Sequence, residues 1–171
     1  MTEHQPALRP AGVSRPFMPG YGTRPPGQGS GLLDWSWAEE RLRASRDYWL
    51  ASVTRDGRPH VMPVWGMLHD GRLWFSSSIG SRKARNLAIH PYCSMTTDNP
   101  LEPVVAEGPV ELVTATDLLA GMLAAENEKY GTDYGMDMMN PAENSCFAMT
   151  PAQVIGLDSS DFTGSPTRWT F

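Results

Sequence analysis

The stretch Arg58–Pro91, RPHVMPVWGMLHDGRLWFSSSIGSRKARNLAIHP, decides how this chain folds. Its first half reads as two strands, RPHVMPVWGML and RLWFSSS, joined at Asp70-Gly71. Just upstream, YWLASVT (48–54) meets the first of them through Asp56-Gly57. An Asp-Gly pair between alternating apolar runs is the strongest short-range hairpin signal. Pro63 marks a bulge or an edge strand, because proline cannot donate to a ladder. After Ser78 the pattern changes. Gly80 makes a turn, Ser81 is placed to cap a helix of about two turns, and Pro91 stops it.

That short helix opens with three cations, Arg82, Lys83 and Arg85. A helix N-terminus already presents bare N–H groups and a partial positive charge, so wrongly signed side chains there cost a few tenths to about 1 kcal/mol each. An anion removes the conflict, and helix N-termini flanked by cations are ready phosphate sites. Gly80 leaves room for a ligand, and Ser76, Ser77 and Ser78 offer hydroxyls to an oxyanion.

Outward from this centre, DWSWAEERLRAS (34–45) reads as a helix with a Ser36–Glu39 capping box and Trp35, Ala38 and Leu42 on one face. YCSMTTD (92–98) and VVAEGPVELV (104–113) are strands. TATDLLAGMLAAENEKYG (114–131) is a helix with Leu118, Leu119, Met122 and Leu123 on one side and Gly131 at its C-cap. MDMMNPAENS (136–145) has no period, and CFAMTPAQVIGLDS with TRWTF closes the chain in two or three more strands. About seven antiparallel strands, two longer helices, the short basic one and short hairpins describe a mainly β (α+β) fold, a small barrel over residues 32–171. Residues 1–31 hold six Pro and six Gly, too many for helix or sheet, and form an arm laid across a neighbouring subunit or the chain's own barrel.

With 171 residues the chain can bury a real core in one domain. A net charge of −5 excludes a general nucleic-acid backbone binder, so the basic cluster suits one small anionic ligand. Cys93 and Cys146 stand apart and read as free thiols of a reducing compartment. There is no membrane-length apolar run and no signal-peptide design, which makes the cytoplasm the default location. No HExxH, Cys/His cluster, Walker loop or nucleophile elbow is present, so no metal and no catalytic side chain is assigned. Trp49 and Trp74 are expected in the core. His60 and His69 are expected at the surface or as caps.

FSSSIGSRKARNLAIHPYCSM (75–95), with the strand before it, closely resembles the pyridoxamine 5′-phosphate oxidase-like flavoproteins, whose fold is a split β-barrel. The resemblance covers roughly residues 35–171. It implies that Arg82 and Lys83 hold a cofactor phosphate, with Ser76, Ser77 and Ser81 beside it. It also implies that Val61, Met62, Pro63, Val64 and Trp65 line the ring edge, largely through their backbone, and that two cofactors sit at a homodimer interface. Trp65 and Trp169, the latter beside Arg168, are candidates for a ring-stacking wall. The chain departs from the oxidases themselves. Where they carry a ring-strand Arg, a substrate-phosphate Lys and a flavin-contacting Gln, it has Val61, Gly66 and Pro103, and only Arg168 remains of their C-terminal pattern.

The SRKARNL segment and the RW.F ending resemble the deazaflavin branch, the oxidoreductases using coenzyme F-420. That branch implies hydride transfer to a small unsaturated or oxidised substrate. Arg85, beyond the phosphate pair, would serve the phosphodiester and glutamate tail of F-420. Tyr130 and Tyr134 are the candidate proton donors, and the Pro/Gly arm is expected to cross to the partner. An FMN-dependent oxidoreductase of the same fold is the alternative. A non-catalytic flavin or haem module is another, with His60 as its one candidate axial ligand.

Overall fold

The structure, a computed structural model, describes residues 8–171. From the first hairpin signal onward, β2 (Asp47–Val53) and β3 (Pro59–Trp65) pair across the Asp56-Gly57 turn. After the break at Gly66, β4 (Met67–His69) and β5 (Arg72–Ser78) pair across Asp70-Gly71, both at positive φ as a tight hairpin requires. Helix α2 (Arg82–Ile89) follows, and Ser81 caps it: its Oγ accepts the Ala84 N–H at 3.1 Å.

Next come β6 (Tyr92–Thr97) and the ten-residue β7 (Val104–Val113). Then α3 (Thr116–Tyr130) ends at Gly131 in the left-handed conformation, and a 3-10 turn spans Met136–Met139. Strands β8 (Asn144–Met149), β9 (Gln153–Gly156) and β10 (Thr167–Thr170) complete the barrel.

The sheet has ten strands among the described residues, the first being β1 (Gly12–Ser14), and its order is β1-β10-β9-β7-β6-β2-β3, with β8, β5 and β4 branching from β7. Strand β7 divides its pairing: Val104–Glu107 face β9, Val110–Val113 face β8, and the opposite edge runs along β6. The sheet therefore curls into a barrel that is split between β3 and β5, which approach each other without a ladder. Its interior is filled by Tyr48, Leu50, Leu73, Phe75, Met95, Phe147, Met149 and Trp169, and closed by Leu42 of α1 and Leu87 of α2. A second core lies outside the β4-β5-β8 branch, where α3 lays Leu119, Met122 and Leu123 on Met67, Trp74 and Ala148.

Three expectations are corrected. Helix α1 (Trp35–Ala44) begins one residue before Ser36, with Asp34 at the N-cap, so the Ser36–Glu39 capping box does not form and Glu39 pairs with Arg43 at 2.7 Å instead. Trp49 is 48% exposed, because it points to the outer face of β2, whereas Trp74 is buried as expected. The arm does contain a strand, β1 (Gly12–Ser14), which pairs with β10 of its own chain. Without it β10 would present an open edge of unpaired N–H and C=O groups.

Further ties hold the arm in place. Arg15 donates to the Pro166 carbonyl at 2.5 Å, Arg24 N–H to that of Thr163 at 2.8 Å, and Ser30 N–H to the Asp161 carboxylate at 2.6 Å. The described part of the arm thus packs on its own barrel through β1, Arg15, Arg24 and Ser30. The rest of the expected arm, residues 1–7, lies outside the described residues.

Cys93 in β6 and Cys146 in β8 are both buried and unbridged, and burial pushes each thiol up to about 12. The thiolate is the reactive form, so neither should react with iodoacetamide at pH 8 in the native protein. Mass spectrometry should find both alkylated only after unfolding.

Candidate functional site

Strand β5 ends at Ser78, and the turn through Gly80 delivers the chain to α2 with open space in front of it: nothing lies within 4 Å of where a Gly80 Cβ would be. Ser77 Oγ and Ser81 Oγ are 2.8 Å apart, and Lys83 Nζ donates to Ser77 Oγ at 3.3 Å. The helix is docked from below. Ala84 and Leu87 are buried, and buried Asn86 donates from Nδ2 to Ser52 Oγ of β2 at 3.0 Å. With that face committed to the core, Arg82 and Arg85 stay exposed and Lys83 half-buried. Among the described residues no carboxylate forms an ion pair with any of the three. Cations without an ion pair, a helix N-terminus and two hydroxyls fit a phosphate group.

The three cations do not form one cluster. Lys83 turns toward Ser77, whereas Arg85 stands on the opposite side of α2, at the rim of an apolar groove of about 330 Å³ lined by Ile79, Ala88, Leu112 and Phe147 among others. The basic surface therefore wraps around the start of α2. Ser76 and Ser77 are also separated, because neighbouring residues of a strand point to opposite faces. Ser77 joins Lys83, while Ser76 turns to the α3 side and lines a small cavity with Leu119, Met139 and Cys146. Sequence proximity to the basic helix does not put the Ser76 side chain beside Lys83.

Among the described residues strand β3 pairs only with β2, which leaves its other edge without a strand partner there, in keeping with Pro63. Cross-strand register puts Val61, Pro63 and Trp65 on the outer face beside Ala51, Trp49 and Asp47, and Met62 and Val64 on the inner face beside Leu50 and Tyr48. Val64 is buried in the barrel core, so it can meet a ligand only through its backbone. Met62 is 45% exposed on the same face, where the barrel is split. His60 is half-buried at the start of the strand, and its Nδ1 is buried without a hydrogen-bond partner among the described residues.

Two expected residues lie elsewhere. Trp169 is wholly buried, edge-on to Trp35, and has no face free for a ring. Arg168 is on β10, remote in strand order from β3, and its guanidinium donates to Ser14 Oγ of the arm at 3.1 and 3.2 Å. Trp65 remains a partly exposed aromatic, but it stacks on Tyr130 at 4.2 Å and 5°. Tyr130 is not a free proton donor. Its hydroxyl accepts the Gly66 N–H at 2.8 Å and lies 2.5 Å from the Arg46 carbonyl, and burial pushes the phenol up to about 12. Tyr134 is exposed and no polar contact brings its hydroxyl toward α2. The sequence reading missed Lys129, whose ammonium burial lowers to about 8, and the Asn86–Ser52 bond that seats α2.

Together these features describe a split-barrel protein with a short, cationic helix start at the mouth of the split. The chain belongs to the pyridoxamine 5′-phosphate oxidase family, which it matches over residues 37–158. Solved structures share the fold. A conserved hypothetical protein from Mycobacterium tuberculosis is 22% identical, with a TM-score of 0.67 over 75% of this chain and 87% of its own. An F420 reductase is 24% identical, with a TM-score of 0.56 over 68% and 94%. A pyridoxamine 5′-phosphate oxidase-related, FMN-binding protein from Nostoc punctiforme is 19% identical, with a TM-score of 0.57 over 78% and 86%. No curated protein matches the chain in sequence. No helix among the described residues is long and apolar enough to cross a membrane.

Lys83→Ala should weaken binding of inorganic pyrophosphate by about 1.5–3 kcal/mol, the range for a charge-assisted hydrogen bond. Exposed Arg82→Ala should cost about 1 kcal/mol or less. Calorimetric titration reads both. Wild-type affinity in the double variant would make the cluster an ordinary solvated helix face.

Proposed function

We propose that this protein is an oxidoreductase transferring a hydride between coenzyme F-420 and a small unsaturated or oxidised organic substrate. The observation that carries the reading is the set of three unpaired cations at the start of α2, on a chain of net charge −5, extending from Lys83 beside Ser77 round to Arg85. FMN presents a single terminal phosphate, which Lys83, Arg82 and the helix N-terminus could satisfy alone. The phosphodiester and glutamate tail of F-420 give Arg85 an anion to meet as well.

The ring strand supports the same choice. A Cβ at Gly66 would lie 2.9 Å from the Trp74 carbonyl oxygen and 3.1 Å from the Tyr48 ring, so no side chain can stand where the B6-phosphate oxidases carry a substrate-binding lysine. Val61 likewise offers no charge.

When bound, the deazaflavin supplies the two-electron chemistry. The chain binds and orients. Arg82 and Lys83 anchor the phosphate, the unpaired edge of β3 offers backbone donors and acceptors to the ring, and exposed Met62 and Trp65 exclude water beside it.

A fluorescence titration at low and high salt tests the assignment. F-420 affinity should fall with salt more steeply than FMN affinity, and Arg85→Ala should flatten only the F-420 slope. Because Arg85 is exposed, its contribution should be no more than about 1 kcal/mol. Tight FMN binding without measurable F-420 binding would replace the reading with an FMN-dependent one.

The homodimer belongs to the same proposal. Val53, Trp49, Val61 and Trp65 are 40–50% exposed and, with Pro63, form a continuous apolar strip on the outer face of β2 and β3. Such a strip is a natural protein contact. Val61→Arg should convert the protein to monomer in light scattering at micromolar concentration, whereas deletion of the arm should not. A wild-type monomer under those conditions would remove the dimer from the proposal.

A further inference from the structure

Gly66 is where the chain leaves β3 on one arm of the barrel and enters β4 on the other, and neither ladder includes it. Its backbone groups are nonetheless both held, and α3 holds them. The Gly66 N–H donates to Tyr130 Oη at 2.8 Å. The Gly66 carbonyl accepts from Lys129 Nζ at 2.5 Å and lies 3.0 Å from Tyr130 Oη. Lys129 Nζ also donates to the Ser45 carbonyl at 2.6 Å, and Tyr130 Oη lies 2.5 Å from the Arg46 carbonyl. The same ammonium sits 5.0 Å from the Tyr48 ring centre and 5.3 Å from that of Tyr130. The Trp65 ring lies flat on Tyr130.

Two consecutive side chains at the end of one helix thus grip the last residue of β3, the residue after it, and the turn that leads from α1 into β2. An edge strand lacks the second ladder that fixes a central strand, so its exposed groups are positioned only as well as its ends are held. Packing round Gly66 is close as well, since a Cβ there would lie 2.9 Å from the Trp74 carbonyl oxygen and 3.1 Å from the Tyr48 ring.

We propose that Lys129 and Tyr130 are positioning residues that hold the free edge of β3 in place for the bound cofactor, and so couple that edge to α3. The ligand half of this statement rests on the function proposed above. The mechanical half does not.

Tyr130→Phe keeps the stack on Trp65 and removes every hydroxyl contact. Lys129→Met keeps the stem and removes the ammonium. In the unliganded protein, amide hydrogen exchange at residues 61–66 should speed up about tenfold in either variant, as expected for a lost hydrogen bond of ordinary strength. Exchange in β6 and β7 should stay unchanged. Lys129→Arg, which keeps the charge and donors, should restore part of the protection.

F-420 and FMN affinity should then fall about tenfold, because the ring edge is no longer fixed, while inorganic pyrophosphate affinity at α2 should hold. Unchanged exchange at residues 61–66 would overturn the proposal. So would an equal loss of pyrophosphate and cofactor binding, or failure of both variants to fold, since each assigns the pair to general stability. If the wild-type protein binds neither F-420 nor FMN, the functional reading fails, while the exchange result still decides the clamp.

Discussion

The fold depends on how β7 divides its hydrogen bonds. One edge runs along β6 as an ordinary ladder, but the other changes partner midway, from β9 at Val104–Glu107 to β8 at Val110–Val113. A strand can serve two partners along one edge only if it bends, and the bend falls at Gly108-Pro109. There Thr150 and Ala152 donate their N–H groups to the Pro109 and Glu107 carbonyls, and the Thr150 carbonyl oxygen lies 1.9 Å from where a Gly108 Cβ would be. Only a residue without a side chain lets the β8-to-β9 connection come that close. The corner sends β8, β5 and β4 round to face β2 and β3. The split between β3 and β5, and with it the mouth where α2 begins, follows from that closure.

Electrostatics at the mouth follow from packing rather than from net charge. Helix α2 is short and would be marginal alone. It persists because Ala84 and Leu87 join the barrel core and Asn86 bonds Ser52 beneath it. Once that face is committed, Lys83 reaches the Ser77 hydroxyl, and Arg82 and Arg85 are left exposed without an ion pair. Three acidic groups elsewhere on the chain are engaged in contacts of their own. Glu39 pairs with Arg43, Glu102 with Arg41, and Asp161 with Arg24 and Ser30. An acidic protein thereby keeps one locally positive entrance, which suits a ligand bearing an anionic group and not a long polyanion.

Much of the site could be read directly. The two Asp-Gly hairpins, the edge position of β3, the Ser81 cap, the α3 C-cap at Gly131 and the solvent-facing cations are all present. The misreadings share one cause: a local pattern says that a residue alternates or is apolar, but not what lies on either side of it. Trp49 and Trp169 are both tryptophans in strands, yet one faces outward from β2 and the other fills the barrel. Ser76 and Ser77 are adjacent, yet one faces α3 and the other Lys83. The arm contains few good strand formers, yet Gly12–Ser14 pair because β10 presents an open edge.

What the sequence by itself determined is whatever short-range chemistry settles. Turn type follows from Asp-Gly, helix limits from Ser81, Pro91 and Gly131, and a local excess of positive charge from three cations at a helix start. Those effects act across a few residues and need no knowledge of the rest of the chain. Only the tertiary structure decided which side of α2 each cation takes, which edge of β3 is open, and what holds Gly66. Lys129 and Tyr130 stand more than sixty positions from Gly66 in the chain. Nothing near either end announces the contact, because it exists only when α3 packs outside the β4-β5-β8 branch and brings its last turn to the corner where β3 ends.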